Sequence, residues 1–128
     1  MAFLPGYETM TLGFLPYHRR RGEYGAVGLS FSVAPELYNA MVAASGTDEA
    51  SAYEKQIASR ELFKVLGRHG GWTPCVKQML ASQGLFRSSA MRAPNKGLST
   101  GQAAALESDM RRLLEDPTGR ALKGALCK

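Results

Sequence analysis

Four stretches between residues 35 and 115 carry apolar side chains at helical spacing, and each has its own start and stop signals. Proline near the beginning of a stretch is pre-organised for a first helical turn, and glycine after its end favours termination. Thr47 before two acidic residues, and Ser99 before the last stretch, are typical N-cap residues. The sequence therefore predicts helices over residues 35–45, 47–67, 73–83 and 100–115, with packed apolar faces.

The rest of the chain is less regular. Residues 7–21 predict a helix that Pro16 should kink or end early. Residues 2–5 and 25–33 predict buried strands, and Gly28 would let another part of the chain approach its backbone closely. Residues 85–97 predict an irregular basic segment, and residues 118–128 predict either a frayed last helix or a docking arm.

Composition limits the class of protein. The chain has 128 residues, 45% of them hydrophobic, which suits one modest core. It has no apolar run of about 20 residues and no secretory start, and its two isolated cysteines suit a reducing compartment. We therefore expect an intracellular protein, in the cytoplasm or alternatively the mitochondrial matrix, without a membrane partner. We expect no metal and no cofactor.

Several short motifs occur in an order that suggests a family. They are Leu4-Pro5-Gly6-Tyr7-Glu8, Gly25-Ala26-Val27-Gly28, Pro35-Glu36-Leu37, Pro74 to Lys77 with Gly84, Arg92-Ala93-Pro94, and Leu98-Ser99. Together they resemble the carboxyl-terminal part of the pyruvate-dependent class I aldolases, the dihydrodipicolinate synthase and N-acetylneuraminate lyase family. The resemblance extends over residues 3–114.

The resemblance implies a fold and a division of the chain. The fold would be α/β and mostly helical, with the last two β/α units of a (β/α)8 barrel followed by a three-helix extension. Residues 1–46 would form the barrel units, 47–116 the helical extension and 117–128 a basic tail, in one structural unit. A complete barrel needs roughly 200 residues or more, so this would be a barrel fragment.

The resemblance also implies which parts of an aldolase site are present. The family's Schiff-base lysine, its proton-relaying tyrosine and its carboxylate-binding hydroxyl pair would all precede Met1. The substrate pocket would keep only the backbone of Gly6, Leu29 and Ser30. Lys77 matches a lysine of the helical extension and not the strand lysine, so we assign no catalytic residue.

These expectations leave three functions open. The first is a non-catalytic structural or interaction subunit of a larger assembly, with another protein chain covering the exposed barrel edges. The second is the carboxyl-terminal piece of a split or truncated pyruvate-dependent lyase. The third is RNA binding, because Arg19, Arg20 and Arg21 and a net charge of +5 suit an anionic partner. The same arginines also suit a helix carboxyl end.

Overall fold

The computed structural model describes residues 8–20 and 26–126, apart from the side chains of residues 16–19. A 3-10 turn at Glu8–Met10 leads into helix α1 (Thr11–Arg20), and a second 3-10 turn at Ser30–Ser32 precedes α2 (Pro35–Ala44). Helices α3 (Glu49–Arg68), α4 (Trp72–Ser82) and α5 (Thr100–Glu115) follow, and a 3-10 turn at Pro117–Leu122 ends the ordered elements.

The four helices predicted between residues 35 and 115 are confirmed. Pro35 stands in the first turn of α2, and Ser99 caps α5 in a capping box: its hydroxyl accepts from the backbone N–H of Gln102, whose side chain accepts from the Ser99 N–H. The N-cap of α3 is Asp48, one residue beyond the predicted Thr47, and its carboxylate accepts from the N–H of Ser51. Local capping chemistry therefore defines these helix starts.

Helix α3 is the centre of the molecule. It contacts α1, α2, α4, α5 and both the first and the last 3-10 turns. Fully buried side chains from four helices and the last turn meet around it: Leu37, Met41, Leu62, Leu66, Cys75, Leu106 and Leu122. Residues 117–126 fold against the core, where Leu122 and Ala125 are buried, so this part of the segment predicted as a frayed helix or a docking arm packs on its own chain.

The predicted barrel units are wrong for the part of the chain that the structure describes. The first expected strand, residues 2–5, lies outside the described residues. Residues 26–33 of the second form no strand; instead the N–H groups of Val33 and Ala34 both donate to the Ser30 carbonyl, closing a local turn. A barrel strand needs neighbouring strands for its backbone hydrogen bonds, and residues 8–20 and 26–126 contain no strand. The α/β barrel-fragment fold is therefore replaced by a helical one.

Helix α1 also departs from expectation at Pro16. The helix continues through this residue to Arg20, so proline does not end it early.

None of the helices in residues 8–20 and 26–126 combines the length and the apolar character needed to cross a membrane.

Candidate functional site

A buried network of hydrogen bonds centres on the carboxylate of Glu8. Ser30 donates to this carboxylate twice, from its backbone N–H at 3.1 Å and from its hydroxyl at 2.5 Å. The Ser30 hydroxyl also contacts the Tyr38 hydroxyl at 2.5 Å, and the Ser59 hydroxyl lies 3.0 Å from the same phenol oxygen. We call Glu8, Ser30, Tyr38 and Ser59 the Glu8 network; all four are buried.

The backbone around Glu8 is held from α3. The Glu8 carbonyl accepts from the Gln56 side-chain amide at 3.1 Å and lies 3.2 Å from the Ser59 hydroxyl. The Gln56 side-chain oxygen accepts in turn from the Leu12 N–H at 2.7 Å, at the start of α1. Two polar residues on the buried face of α3 therefore fix the turn that carries Glu8.

Gly28 explains how the carboxylate reaches Ser30. A Cβ atom at position 28 would lie 2.4 Å from the Glu8 side chain, closer than two carbon atoms can approach. The predicted close approach at Gly28 is therefore confirmed, and the approaching group is Glu8. Any larger residue at position 28 would displace this side chain.

The hydroxyl groups of the network have one consistent direction of donation. Each hydroxyl carries a single proton, and an ionised carboxylate only accepts. Ser30 therefore donates to Glu8, which leaves its oxygen to accept from Tyr38, and the Tyr38 oxygen is free to accept from Ser59. Burial is the main cause that raises the pKa of Tyr38, and the nearby Glu8 charge adds to it. Tyr38 thus stays protonated, as donation to Ser30 requires.

Glu8 is one of the residues that line an open depression of about 690 Å³. We call it the Trp72 depression; its lining residues are Glu8, Thr9, Val27, Gly28, Leu29, Phe63 and Trp72. The Trp72 indole stacks on Phe63 with ring centroids 5.0 Å apart. Val27 is 55% exposed, Trp72 48% and Leu29 38%, although all three are apolar. The depression thus combines an apolar rim with one buried carboxylate.

That carboxylate has no cationic partner among the described residues. Its oxygens accept from Ser30 alone, whereas the ion pairs of the described residues involve Glu61 and Asp109. Transfer of a carboxylate out of water is costly unless its charge is compensated. The Trp72 depression is therefore electrostatically suited to a cationic group.

A second depression lies at the start of α3. Its lining residues are Leu12, Ser45, Gly46, Glu49, Ala50, Ala52 and Tyr53, and its volume is about 650 Å³. We call it the Tyr53 depression. Glu49 is exposed there, so water already solvates its carboxylate, and Tyr53 is 60% exposed. This depression therefore lacks the buried charge of the first.

The reactive side chains considered from the sequence are engaged elsewhere. The Lys77 ammonium donates to the Ala90 carbonyl and so ties α4 to the segment before α5. Cys75 lies in the core, where burial raises the pKa of its thiol. His69 contacts the Asp109 carboxylate at 2.9 Å. Within residues 8–20 and 26–126, no group of three or more His, Cys, Asp or Glu side chains is arranged to hold a metal ion.

The residues selected from the sequence are dispersed. Gly6 and Arg21 lie outside the described residues, and so does the side chain of Arg19, while Arg20 is exposed at the end of α1. Leu29 is at the rim of the Trp72 depression, and Ser30 is buried beneath it. Of the selected residues, Leu29 and Ser30 thus lie at the Trp72 depression. Nucleic-acid contact by the arginines stays a prediction.

Sequence reasoning missed Glu8, Tyr38 and Trp72 as members of one site. One signal was available: Tyr38 lies on the apolar face of a predicted helix, and a buried tyrosine hydroxyl needs a hydrogen-bond partner. Nothing in the sequence indicates that this partner is Ser30, because the contact depends on the turn at residues 30–32.

Comparison with models of known protein families and with curated protein sequences finds no match.

Proposed function

We propose that this chain is a non-catalytic interaction subunit that binds a partner protein in the Trp72 depression. The observation that carries the proposal is the exposure of Val27, Leu29 and Trp72 around a buried carboxylate without a cationic partner among the described residues. Contiguous exposed apolar surface is characteristic of protein-binding sites.

Burial of this rim provides a driving force for association. Complete burial of an apolar side chain of this size stabilises by roughly 1.5–3 kcal/mol, before the costs of association are subtracted. Tryptophan is also enriched among the residues that dominate binding energies. The stacking of Trp72 on Phe63 restrains the indole in advance, which reduces the entropy lost on binding.

The hydrogen bonds and burial of the reactive side chains support a non-catalytic role. An imine-forming lysine needs a lowered pKa and a free amine, whereas the Lys77 ammonium donates to a backbone carbonyl. The buried Cys75 thiol has a raised pKa, which disfavours the nucleophilic thiolate. The Glu8, Ser30 and Tyr38 side chains are occupied by one another. These groups serve the fold.

Site-specific photo-cross-linking tests the proposal. A Val27→p-benzoylphenylalanine variant, expressed in the cells that make the protein, should give a discrete adduct on irradiation. A matched variant at Glu107, which is exposed on α5, should give none. Adding Trp72→Ser to the Val27 variant should abolish the adduct. Equal cross-linking from positions 27 and 107, or none from position 27, would contradict the proposed docking face.

Incubation with pyruvate and borohydride tests the non-catalytic part separately. We expect no stable mass increase on the isolated chain, because Lys77, the lysine considered as a substitute nucleophile, is held by the Ala90 carbonyl. A pyruvate adduct mapped to Lys77 would overturn this part and support the alternative of a lyase piece.

A further inference from the structure

The segment that follows α4 presents two exposed apolar side chains next to an arginine. Leu85 is 51% exposed and Phe86 is 46% exposed, and Arg87 is exposed beside them. None of the ion pairs of the described residues involves Arg87. This Leu85–Arg87 segment thus combines apolar surface with the cation that the Trp72 depression lacks among its lining residues.

The backbone holds this segment in place. Gly84, with φ of +76°, ends α4: its N–H donates to the Ala81 carbonyl, and the N–H groups of Leu85 and Phe86 both donate to the Leu80 carbonyl. This is the Schellman arrangement, in which a left-handed glycine closes the helix. Leu85 and Phe86 are therefore pre-organised, and their docking loses less conformational entropy than that of a flexible loop.

The segment and the depression lie at opposite ends of the same helix. Trp72 begins α4 and Ser82 ends it, and its 11 residues give a length of about 16 Å. A segment fixed at one end by backbone hydrogen bonds does not reach a depression at the other end of its own helix. The two complementary surfaces are accessible to each other between two copies of the chain.

We infer that the Leu85–Arg87 segment of one copy binds in the Trp72 depression of a second copy, giving head-to-tail self-association. The inference rests on the proposed docking function and names its occupant. Arg87 provides the cation for the Glu8 carboxylate and a planar group for the Trp72 indole, while Leu85 and Phe86 cover the rim at Val27 and Leu29. Contacts between two different surfaces are heterologous, so each copy retains one free surface for the next.

The Tyr53 depression is the less suitable site for the same segment. Its acidic residue, Glu49, is exposed and already solvated, so an arginine gains little by approaching it. Glu8 is only 6% exposed, and a cation that reaches it acts in a less screened environment. Charge complementarity therefore selects the Trp72 depression.

Sedimentation velocity with two complementary variants tests the inference. Val27→Asp damages the depression and leaves the Leu85–Arg87 segment intact, whereas Arg87→Glu does the reverse. Both sites are exposed, so both variants should fold, which circular dichroism checks. We expect the wild type to form species larger than a dimer as concentration rises, and each variant alone to associate at least about tenfold more weakly. Tyr53→Ser, in the other depression, should associate like the wild type.

The mixture of the two variants is the decisive sample. The intact depression of the Arg87→Glu chain and the intact segment of the Val27→Asp chain should form a one-to-one dimer that grows no further. A wild type that stays monomeric, or a mixture that does not form the dimer, would overturn the inference. If the wild type is monomeric while position 27 still cross-links to a different protein, the docking function stands and the self-association is wrong.

Discussion

Glu8 and Asp109 are two carboxylates of the described chain that are held in opposite ways. Asp109, on α5, contacts three basic side chains: His69 at 2.9 Å, Arg112 at 2.7 Å and Arg68 at 3.7 Å. Glu8 is buried, and among the described residues its carboxylate accepts from Ser30 alone, a neutral donor. Asp109 therefore has its countercharges within the fold, and Glu8 has none among the described residues.

The difference separates a structural carboxylate from a candidate binding carboxylate. The hydrogen bond from His69, followed by the charges of Arg112, His69 and Arg68, holds the pKa of Asp109 below its ordinary value. The Asp109 carboxylate therefore has its polar contacts within the chain and needs none from a partner protein. The Glu8 network holds a buried side chain among the residues that line an apolar depression, and we propose its carboxylate as the group that a cation of a second copy approaches.

The largest effect should come from removing the Glu8 side chain. Glu8→Ala leaves the buried N–H and hydroxyl of Ser30 without their acceptor and opens a cavity beside Gly28. We expect a loss of about 2–4 kcal/mol in the free energy of unfolding. Urea denaturation measures it, with Glu107→Ala on the exposed face of α5 as the control. A loss as small as that of the control would show that the network is not part of the stable fold.

A smaller loss should follow from removing only the Tyr38 hydroxyl. Tyr38→Phe keeps the ring, which stacks on Phe31 at a centroid distance of 3.7 Å, and removes the donor to Ser30. We expect a destabilisation of about 1–2 kcal/mol. Tyr53→Phe is the matched control, since Tyr53 is 60% exposed, and its stability should be unchanged. Equal losses in the two variants would contradict a stabilising role of the Tyr38 hydroxyl in the Glu8 network.

Asp109→Asn should cost less than about 1 kcal/mol at neutral pH, because its partners Arg68 and Arg112 are largely solvated. A carboxyl with a lowered pKa stabilises the fold above its ordinary value of 3.8, and this contribution disappears as pH falls through the folded-state pKa. The variant and the wild type should therefore converge in stability under acidic conditions. Thermal unfolding over a pH series checks this, and a difference that persists in acid would be inconsistent with it.

The smallest effect concerns salt. At about 1 M ionic strength the screening length is about 3 Å, which weakens interactions between exposed charges. The cost of Asp109→Asn should shrink towards zero there, while the cost of Tyr38→Phe should hardly change. Urea denaturation in low and high salt compares the two. Parallel changes would mean that the two carboxylates are not held in different ways.

The helices could be predicted from sequence, and the site could not, for one physical reason. Helices α2 to α5 depend on local signals such as Pro35 and the Ser99 capping box, which are visible within a few residues. The Glu8 network depends on contacts between positions 8, 30, 38 and 59, which no local pattern indicates. The same limit explains the error in the strand predicted over residues 25–33: the composition favours a strand, but a strand also needs neighbours to pair with.

Quenching of tryptophan fluorescence tests the docking face most directly, because Trp72 is the only tryptophan of the chain and stands on the rim of the depression. Acrylamide should quench its emission readily in dilute solution, where the indole is 48% exposed. We predict that quenching falls and the emission shifts to shorter wavelength as the protein associates, and that the Arg87→Glu variant shows neither change at the same concentrations. Unchanged quenching of the wild type in its associated state would contradict docking at the Trp72 depression.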